Sequence, residues 1–179
     1  PFYDLTFNNA AGGWTLSDAT TVAGTLTITN GAVTAPAATL TVGGSWTKSA
    51  GTFTHNNGTV VFDTAGTSTI TGATTFYNLS STTAGKTLKF GTGQTFTLAN
   101  GGTFTITGAP GSRITIDSDS ATSGSPSDQW FVKKQGNTTI TYATIVDSGC
   151  DASSNTLAVY DGTSTNGGNN GSCWIFRMS

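Results

Sequence analysis

Histidine, the residue most often used as a general base or a zinc ligand, occurs once in this chain, at His55. It lies in Thr54-His55-Asn56-Asn57, a polar run that predicts a turn. A Ser-His-Asp triad would need suitable partners for this histidine, and a His-based zinc site would need further ligands. The absence of glutamate and of a second histidine argues against a His-based zinc site, and we expect no Ser-His-Asp triad with this histidine either. We therefore predict no catalytic residue, no metal ligand and no cofactor, in a protein that is not an enzyme.

The carboxylates are nine aspartates spread along the whole chain. They are Asp4, Asp18, Asp63, Asp117, Asp119, Asp128, Asp147, Asp151 and Asp161. Cleavage of a polysaccharide needs several carboxylates converging on one sugar, as acid, base or calcium ligands. Asp117 and Asp119 form the tightest pair, and in a strand they would point the same way. The turn-rich segment that follows favours a solvated loop edge instead, although stacking of strands could bring Asp63 or Asp147 nearby.

The two cysteines, Cys150 and Cys173, are the residues for which we predict a definite role. A bond between them closes a loop of 24 residues, which the chain-entropy model values at about 3.5 kcal/mol. Their flanks, Asp147-Ser148-Gly149 and Asn170-Gly171-Ser172, are typical of surface turns and favour a disulfide. Two buried free thiols are the alternative. A disulfide indicates an oxidising compartment, so we predict an extracellular or cell-surface location.

Charge excludes some partners. Charged residues make up 9% of the chain, the net charge is −2 and the isoelectric point is about 4.9, whereas an average domain has about 25% charged residues. Arg113 and Lys133-Lys134 form no basic stripe, so we expect no nucleic-acid partner. No run approaches 18 apolar residues and no signal-peptide pattern opens the chain, so we expect no membrane insertion. A chain that begins at Pro1 suggests a processed or excised piece.

The elements that would carry these residues are short strands. The chain contains 38 Thr and 18 Ser, and threonine alternates with large apolar residues in many segments. This period of two places apolar side chains on one face of a strand and hydroxyls on the other. The segments are Thr25-Leu26-Thr27-Ile28-Thr29, Thr39–Val42, Thr52–Thr54, Thr95–Leu98 and Thr103–Thr107. Glycine-containing turns such as Asn30-Gly31 and Asn100-Gly101-Gly102 separate them, so we predict an all-β protein.

Internal similarity suggests how the strands are arranged. Phe2-Tyr3-Asp4-Leu5 resembles Phe76-Tyr77-Asn78-Leu79, and the segment 25–29 resembles Thr103–Thr107 at a nearly equal offset along the chain. We predict one β-solenoid domain over 1–179 with two related halves, about 1–74 and 75–179. Strand starts near Thr59, Phe76, Thr95 and Ile114 follow one another at nearly equal intervals, which suits solenoid coils. A β-sandwich is the alternative, since Asn57-Gly58 could form a hairpin.

A string of motifs resembles a known family. It runs through Gly58-Thr59-Val60-Val61-Phe62-Asp63, Thr75-Phe76-Tyr77-Asn78-Leu79, the segment 140–148 and the closing segment 167–176. From about Gly44 to Phe176 the chain is similar to the repeat region of large secreted bacterial cell-surface proteins with a right-handed parallel β-helix fold. The resemblance implies a right-handed parallel β-helix at the cell surface. The biochemical role of these repeats is largely unassigned, so it implies no particular activity.

Three functions follow as hypotheses. The first is a non-enzymatic extracellular structural protein, the building block of a surface layer, fibre or filament, because the open ends of a solenoid expose unpaired backbone groups. Its partners would be further copies of the chain in a head-to-tail polymer. The second is a carbohydrate-binding or carbohydrate-active β-helix that meets a surface polysaccharide. Its test residues are Trp14, Trp46, Trp130 and Trp174, for which we expect mostly core or coil-end packing.

The third hypothesis is ice binding, because flat threonine ladders on β-solenoids resemble the ice-binding faces of some antifreeze proteins. Such a face needs threonines aligned rung over rung. The Thr-containing segments begin at Thr25, Thr39, Thr52, Thr67, Thr95 and Thr103, and the steps between these starts are unequal. Unequal steps predict an irregular register, and threonine also serves simply as a soluble, β-favouring outward residue.

Overall fold

The computed structural model describes residues 1–159 and 161–176. Over these residues the chain forms 21 short strands and one 3-10 helical turn, Pro126–Asp128. In chain order the strands are β1 (Leu5–Thr15), β2 (Thr20–Val22), β3 (Leu26–Thr34), β4 (Thr39–Val42), β5 (Trp46–Lys48), β6 (Thr52–Thr54), β7 (Thr59–Val61), β8 (Thr67–Thr71), β9 (Thr75–Phe76), β10 (Asn78–Ser81), β11 (Thr87–Phe90), β12 (Thr95–Leu98), β13 (Thr103–Thr107), β14 (Ile114–Ser118), β15 (Trp130–Lys134), β16 (Asn137–Thr141), β17 (Ala143–Val146), β18 (Ser148–Cys150), β19 (Leu157–Val159), β20 (Thr165–Gly168) and β21 (Trp174–Phe176).

The strands stack into a β-solenoid of about eight coils with three long faces. Sheet 1 has the order β1-β3-β5-β8-β11-β14-β17-β20, with β6 also paired to β3. Sheet 2 has the order β2-β4-β7-β10-β13-β16, and sheet 3 the order β9-β12-β15-β18. A short fourth sheet pairs β19 with β21. Sheets 2 and 3 have fewer strands than sheet 1, so not every coil contributes a strand to each face. Every pair of these strands is parallel.

The predicted β-solenoid is confirmed, and the β-sandwich alternative is wrong. The turn at Asn57-Gly58 does not close a hairpin, because β6 before it pairs with β3 in sheet 1 while β7 after it pairs with β4 and β10 in sheet 2. Parallel neighbours cannot be joined by a tight turn, so the chain travels round the tube before it meets its partner strand. The boundary predicted at residue 179 lies outside the described residues.

The core is a narrow column formed by the inward residue of each alternating pair. In β12 and β13 the burial alternates strictly, with Phe96, Leu98, Phe104 and Ile106 buried and the threonines between them half-exposed. Aromatic rings fill part of this column, with Phe90, Phe96 and Trp130 in contact with one another. Phe90 and Trp130 stack with ring centres 4.2 Å apart, which contributes beyond the area they bury.

Coil length varies while strand register is kept in most pairs, the exceptions being shifts within the β1–β3 and β17–β20 pairs. Leu26 pairs with Trp46 and Phe90 pairs with Ser118, and the second pair spans a longer stretch of chain than the first. The longest extra segment is a loop between β14 and β15, residues 119–129, which contains the 3-10 turn. Insertions are placed in turns because a change of length within a strand would move its apolar residues to the solvent face.

Candidate functional site

The predicted disulfide between Cys150 and Cys173 is confirmed. It joins the end of β18 to the turn before β21, with the two Cα atoms 5.9 Å apart. The Cys173 N–H also donates a hydrogen bond of 2.9 Å to the Cys150 sulfur. The segment that the bond encloses contains β19 and β20, so it fastens the last coil to the coil before it.

His55 lies in the turn after β6, where its side chain contacts a backbone N–H and an aromatic ring. Its Nδ1 atom accepts a hydrogen bond of 3.1 Å from the Asn57 N–H, and its ring stacks on Tyr77 with centres 5.5 Å apart. The tryptophans are placed as expected, since Trp46, Trp130 and Trp174 are buried and Trp14 packs half-buried against Phe7 in the first coil. The three buried indoles therefore present no flat surface to a sugar ring.

The structure gives different partners to the two aspartates, Asp117 and Asp119, that lie closest together in the sequence. Asp117 lies on the outer face of β14, where its carboxylate is 3.7 Å from the Lys89 ammonium. Asp119, just beyond β14, accepts hydrogen bonds from the backbone N–H and the hydroxyl of Thr92, at 2.7 and 2.8 Å. Among the described residues, no three His, Cys, Asp or Glu side chains converge closely enough to hold a metal ion. There is also no helix there whose length and hydrophobicity would let it span a lipid bilayer.

Asp147 is a buried carboxylate whose role was missed in the sequence. Its Oδ1 accepts hydrogen bonds from the Gly124 N–H at 3.1 Å and from Asn169 Nδ2 at 2.6 Å. Gly124 belongs to the 119–129 loop, so this carboxylate fastens the loop to the solenoid wall. Its Oδ2 has no hydrogen-bond partner among the described residues. The alternation of β17, with Ala143 and Ile145 inward, could have predicted the inward position of the next odd residue.

Lys86 is the buried cation of the molecule's middle coils. Its Nζ donates hydrogen bonds to the Thr64 carbonyl oxygen at 2.6 Å and to the Ser68 hydroxyl at 2.9 Å. Burial lowers the pKa of Lys86, and the charge of Asp63 offsets part of this effect. The alternation of β11, with Leu88 and Phe90 inward, could have predicted that Lys86 also points inward.

The two ends of the described solenoid expose its large apolar side chains. Phe2 is 49% exposed and Tyr3 80% exposed at one end, and Ile175 is 39% exposed at the other. No other large apolar side chain is exposed among the described residues. Among the described residues, no strand pairs with the outer edge of β1.

The outer face of sheet 2 carries two columns of residues in register, most of them threonines but interrupted by Val61, Asn78, Ser80 and Asn137, whereas the spacing of the segment starts predicts an irregular register. The six predicted segment starts lie on or beside different sheets, so their steps along the chain do not measure rungs of one ladder. Within sheet 2, two outward columns run across successive coils. One is Thr39, Thr59, Asn78, Thr103 and Asn137, and the other is Thr21, Thr41, Val61, Ser80, Thr105 and Thr139. We call these two columns the hydroxyl face.

No family model, no curated protein and no solved structure matches the chain.

Proposed function

We propose that this protein is a non-enzymatic structural module of an extracellular, cell-surface assembly, in which copies of the chain stack end to end. The observation that carries the proposal is the placement of exposed apolar residues at the two ends, with Phe2 and Tyr3 at one and Ile175 at the other. Stacking of copies would remove these apolar side chains from water, which stabilises the assembly. On a single copy they stay exposed to solvent.

The backbone of β1 is suited to this contact. The Leu5 N–H donates to the Thr25 carbonyl oxygen, and because successive residues of a strand face opposite edges, the N–H and C=O of Thr6 point away from β3. β1 contains no charged residue and no proline, the usual devices that prevent edge-to-edge pairing. Its bulge between Asn8 and Gly13 interrupts the ladder but leaves pairing on both sides of it.

The opposite end of sheet 1 provides the matching edge. β20 is the last strand in its order and pairs on its inner side with β17. Addition of β1 from one copy to β20 of the next would continue the same parallel sheet. The contact is heterologous and does not close on itself, so it generates a filament rather than a dimer.

The disulfide and the sequence resemblance support the extracellular part of the proposal. A disulfide of this kind persists in oxidising compartments. The low content of charged residues is also compatible with coil-on-coil packing along a fibre.

The test measures whether the 179-residue protein still assembles when the outer edge of β1 is altered. Thr6→Pro removes an outward N–H while leaving the Leu5 bond to β3 in place, as tolerated on edge strands. Thr6→Val, which keeps that N–H, is the matched control. We expect concentration-dependent filaments by electron microscopy and light scattering for wild type and Thr6→Val, and their loss in Thr6→Pro.

A second variant guards against misfolding at the proline. Tyr3→Lys places a charge at the most exposed aromatic position without altering the backbone, and it should also suppress filaments. Monodisperse wild-type protein at high concentration would contradict the proposal, as would filaments that persist in both Thr6→Pro and Tyr3→Lys.

A further inference from the structure

The hydroxyl face is a two-dimensional array whose spacing is set by the backbone. Neighbouring strands of a sheet lie about 4.8 Å apart, and alternate residues along a strand lie about 6.6 Å apart. The residue pairs Thr39 and Thr41 in β4 and Thr103 and Thr105 in β13 repeat this second distance on different rungs. Hydrogen bonds along the ladder hold both distances, so the face is a fixed grid rather than a flexible surface.

The side chains on the grid are held in place. Threonine is β-branched and stiff at its first side-chain torsion. Asn78 is fixed between rungs, because its amide nitrogen donates to the Thr59 hydroxyl at 3.1 Å and its amide oxygen accepts from the Thr103 N–H at 2.9 Å. A partner that matches the grid would therefore bind without a large loss of side-chain entropy.

The same face is free of charge. The strands of sheet 2 contain no Asp, Lys, Arg or His. The outer surface of sheet 1 carries Lys89 and Asp117, and β15 of sheet 3 contains Lys133 and Lys134. Among the described strands, charged side chains therefore occur only in the other sheets, so the outer face of sheet 2 is suited to an uncharged partner.

We propose that the hydroxyl face binds the surface of ice. A rigid grid of methyl, hydroxyl and amide groups matches a partner that has its own lattice of hydrogen-bonding oxygens, and the oxygen atoms of an ice surface form such a lattice. A crystalline polysaccharide is also periodic, but sugar rings bind by stacking on aromatic side chains. Neither column of the hydroxyl face contains an aromatic residue. This activity is independent of end-to-end stacking.

The experiment compares matched substitutions on two faces of the 179-residue protein. Thr105→Tyr places a bulky ring in the middle of the hydroxyl face. Thr115→Tyr makes the same change at a half-exposed outward position of β14, in a threonine column of sheet 1 that also includes Thr87 and Thr144. Thermal hysteresis and adsorption of fluorescently labelled protein to a single ice crystal are the two measurements.

We expect hysteresis and adsorption for wild type and Thr115→Tyr, and at least a fivefold loss of hysteresis in Thr105→Tyr. Thr41→Tyr, at another rung of the same column, should show the same loss, and circular dichroism would establish that each variant is folded. Wild-type protein with neither hysteresis nor adsorption overturns the proposal, as do equal losses in Thr105→Tyr and Thr115→Tyr. Retention on crystalline cellulose or chitin without adsorption to ice overturns it in favour of a polysaccharide.

Discussion

Reduction of the Cys150–Cys173 disulfide should loosen the last coils and leave the middle of the solenoid unchanged. The bond closes a loop of 24 residues that contains β19 and β20. In the chain-entropy model a loop of this length contributes about 3.5 kcal/mol to the stability of the segment that it constrains. Because each coil contacts chiefly its neighbours, this loss is expected to remain local instead of spreading through the tube.

The magnitude can be read from hydrogen exchange. Opening of the last coil exposes amides such as Gly171 N–H, which donates to the Ser148 carbonyl oxygen at 2.7 Å, and Leu157 N–H, which donates to the Cys173 carbonyl oxygen at 2.8 Å. A loss of about 3.5 kcal/mol corresponds to an increase in exchange of up to about 300-fold at these sites. The Phe62 N–H, which donates to the Ser80 carbonyl oxygen in the middle coils, is the internal control and should change little.

Mass spectrometry of exchange with and without reductant makes the measurement, and the double variant Cys150→Ala, Cys173→Ala supplies the control. The variant should exchange as fast as the reduced wild type and should not respond to reductant. Equal exchange of the C-terminal amides in oxidised and reduced protein would refute the reasoning. An equal increase at Phe62 would refute the expectation that the effect is local.

Three further predictions concern single positions. Gly72→Ala should lower the free energy of unfolding in urea more than Gly66→Ala does. Both glycines have positive φ, but a Cβ at Gly72 would overlap a backbone carbonyl of the neighbouring coil, whereas a Cβ at Gly66 would meet open space. Equal losses of stability in the two variants would contradict this. Asp147→Ala should lower the free energy of unfolding by about 1–3 kcal/mol and speed proteolysis of the 119–129 loop. Asp147→Asn keeps an acceptor oxygen and tolerates positive φ, so in this variant the loop should stay resistant to proteolysis. Burial lowers the pKa of Lys86 in the folded protein, so the unfolded chain binds this proton more tightly. The free energy of unfolding of wild type, measured relative to Lys86→Met, should therefore rise as the pH increases from the lowered pKa to the ordinary lysine value. A difference between the two proteins that does not change with pH would argue against this reasoning.

Much of the architecture can be predicted from the sequence. Thr103–Thr107 alternates threonine with apolar residues, and the structure makes it β13 with Phe104 and Ile106 buried. The disulfide is predicted from two cysteines in turn-like flanks and is present, although the predicted surface turn before Cys150 is wrong, because Asp147 and Ser148 are buried and Ser148–Cys150 forms β18. These features are predictable because alternation, turn chemistry and loop closure depend on residues close together in the chain or on a single pair.

The buried polar residues show where sequence reasoning stops. Lys86 and Asp147 occupy inward positions that strand alternation can indicate, yet charged residues are rarely buried unless paired. Their partners come from neighbouring coils, and for Asp147 these include Asn169, which lies later in the chain. Lys86 bonds to Thr64 and Ser68, and Asp147 bonds to Gly124. Which coil lies above each residue cannot be read from its own segment.

The related motifs at Phe2 and Phe76 illustrate the same limit. Phe2 bridges Val22 beside sheet 2, whereas Phe76 belongs to β9 in sheet 3, so similar segments lie on different faces of the tube. Likewise, the strand starts near Thr59, Phe76, Thr95 and Ile114 lie on or beside three sheets rather than on one.

The amino-acid sequence by itself determines that the chain forms short strands with one apolar and one hydroxyl-bearing face, because alternation is a steric property of each extended segment. Only the tertiary structure decides which strands stack, and therefore that Thr105 lies between Ser80 and Thr139, or that Asp147 meets Gly124. The physical reason is that insertions such as the 119–129 loop are accommodated in turns, while hydrogen bonds between strands at unequal separations along the chain set the register. Distances along the chain consequently carry little information about distances across the sheets.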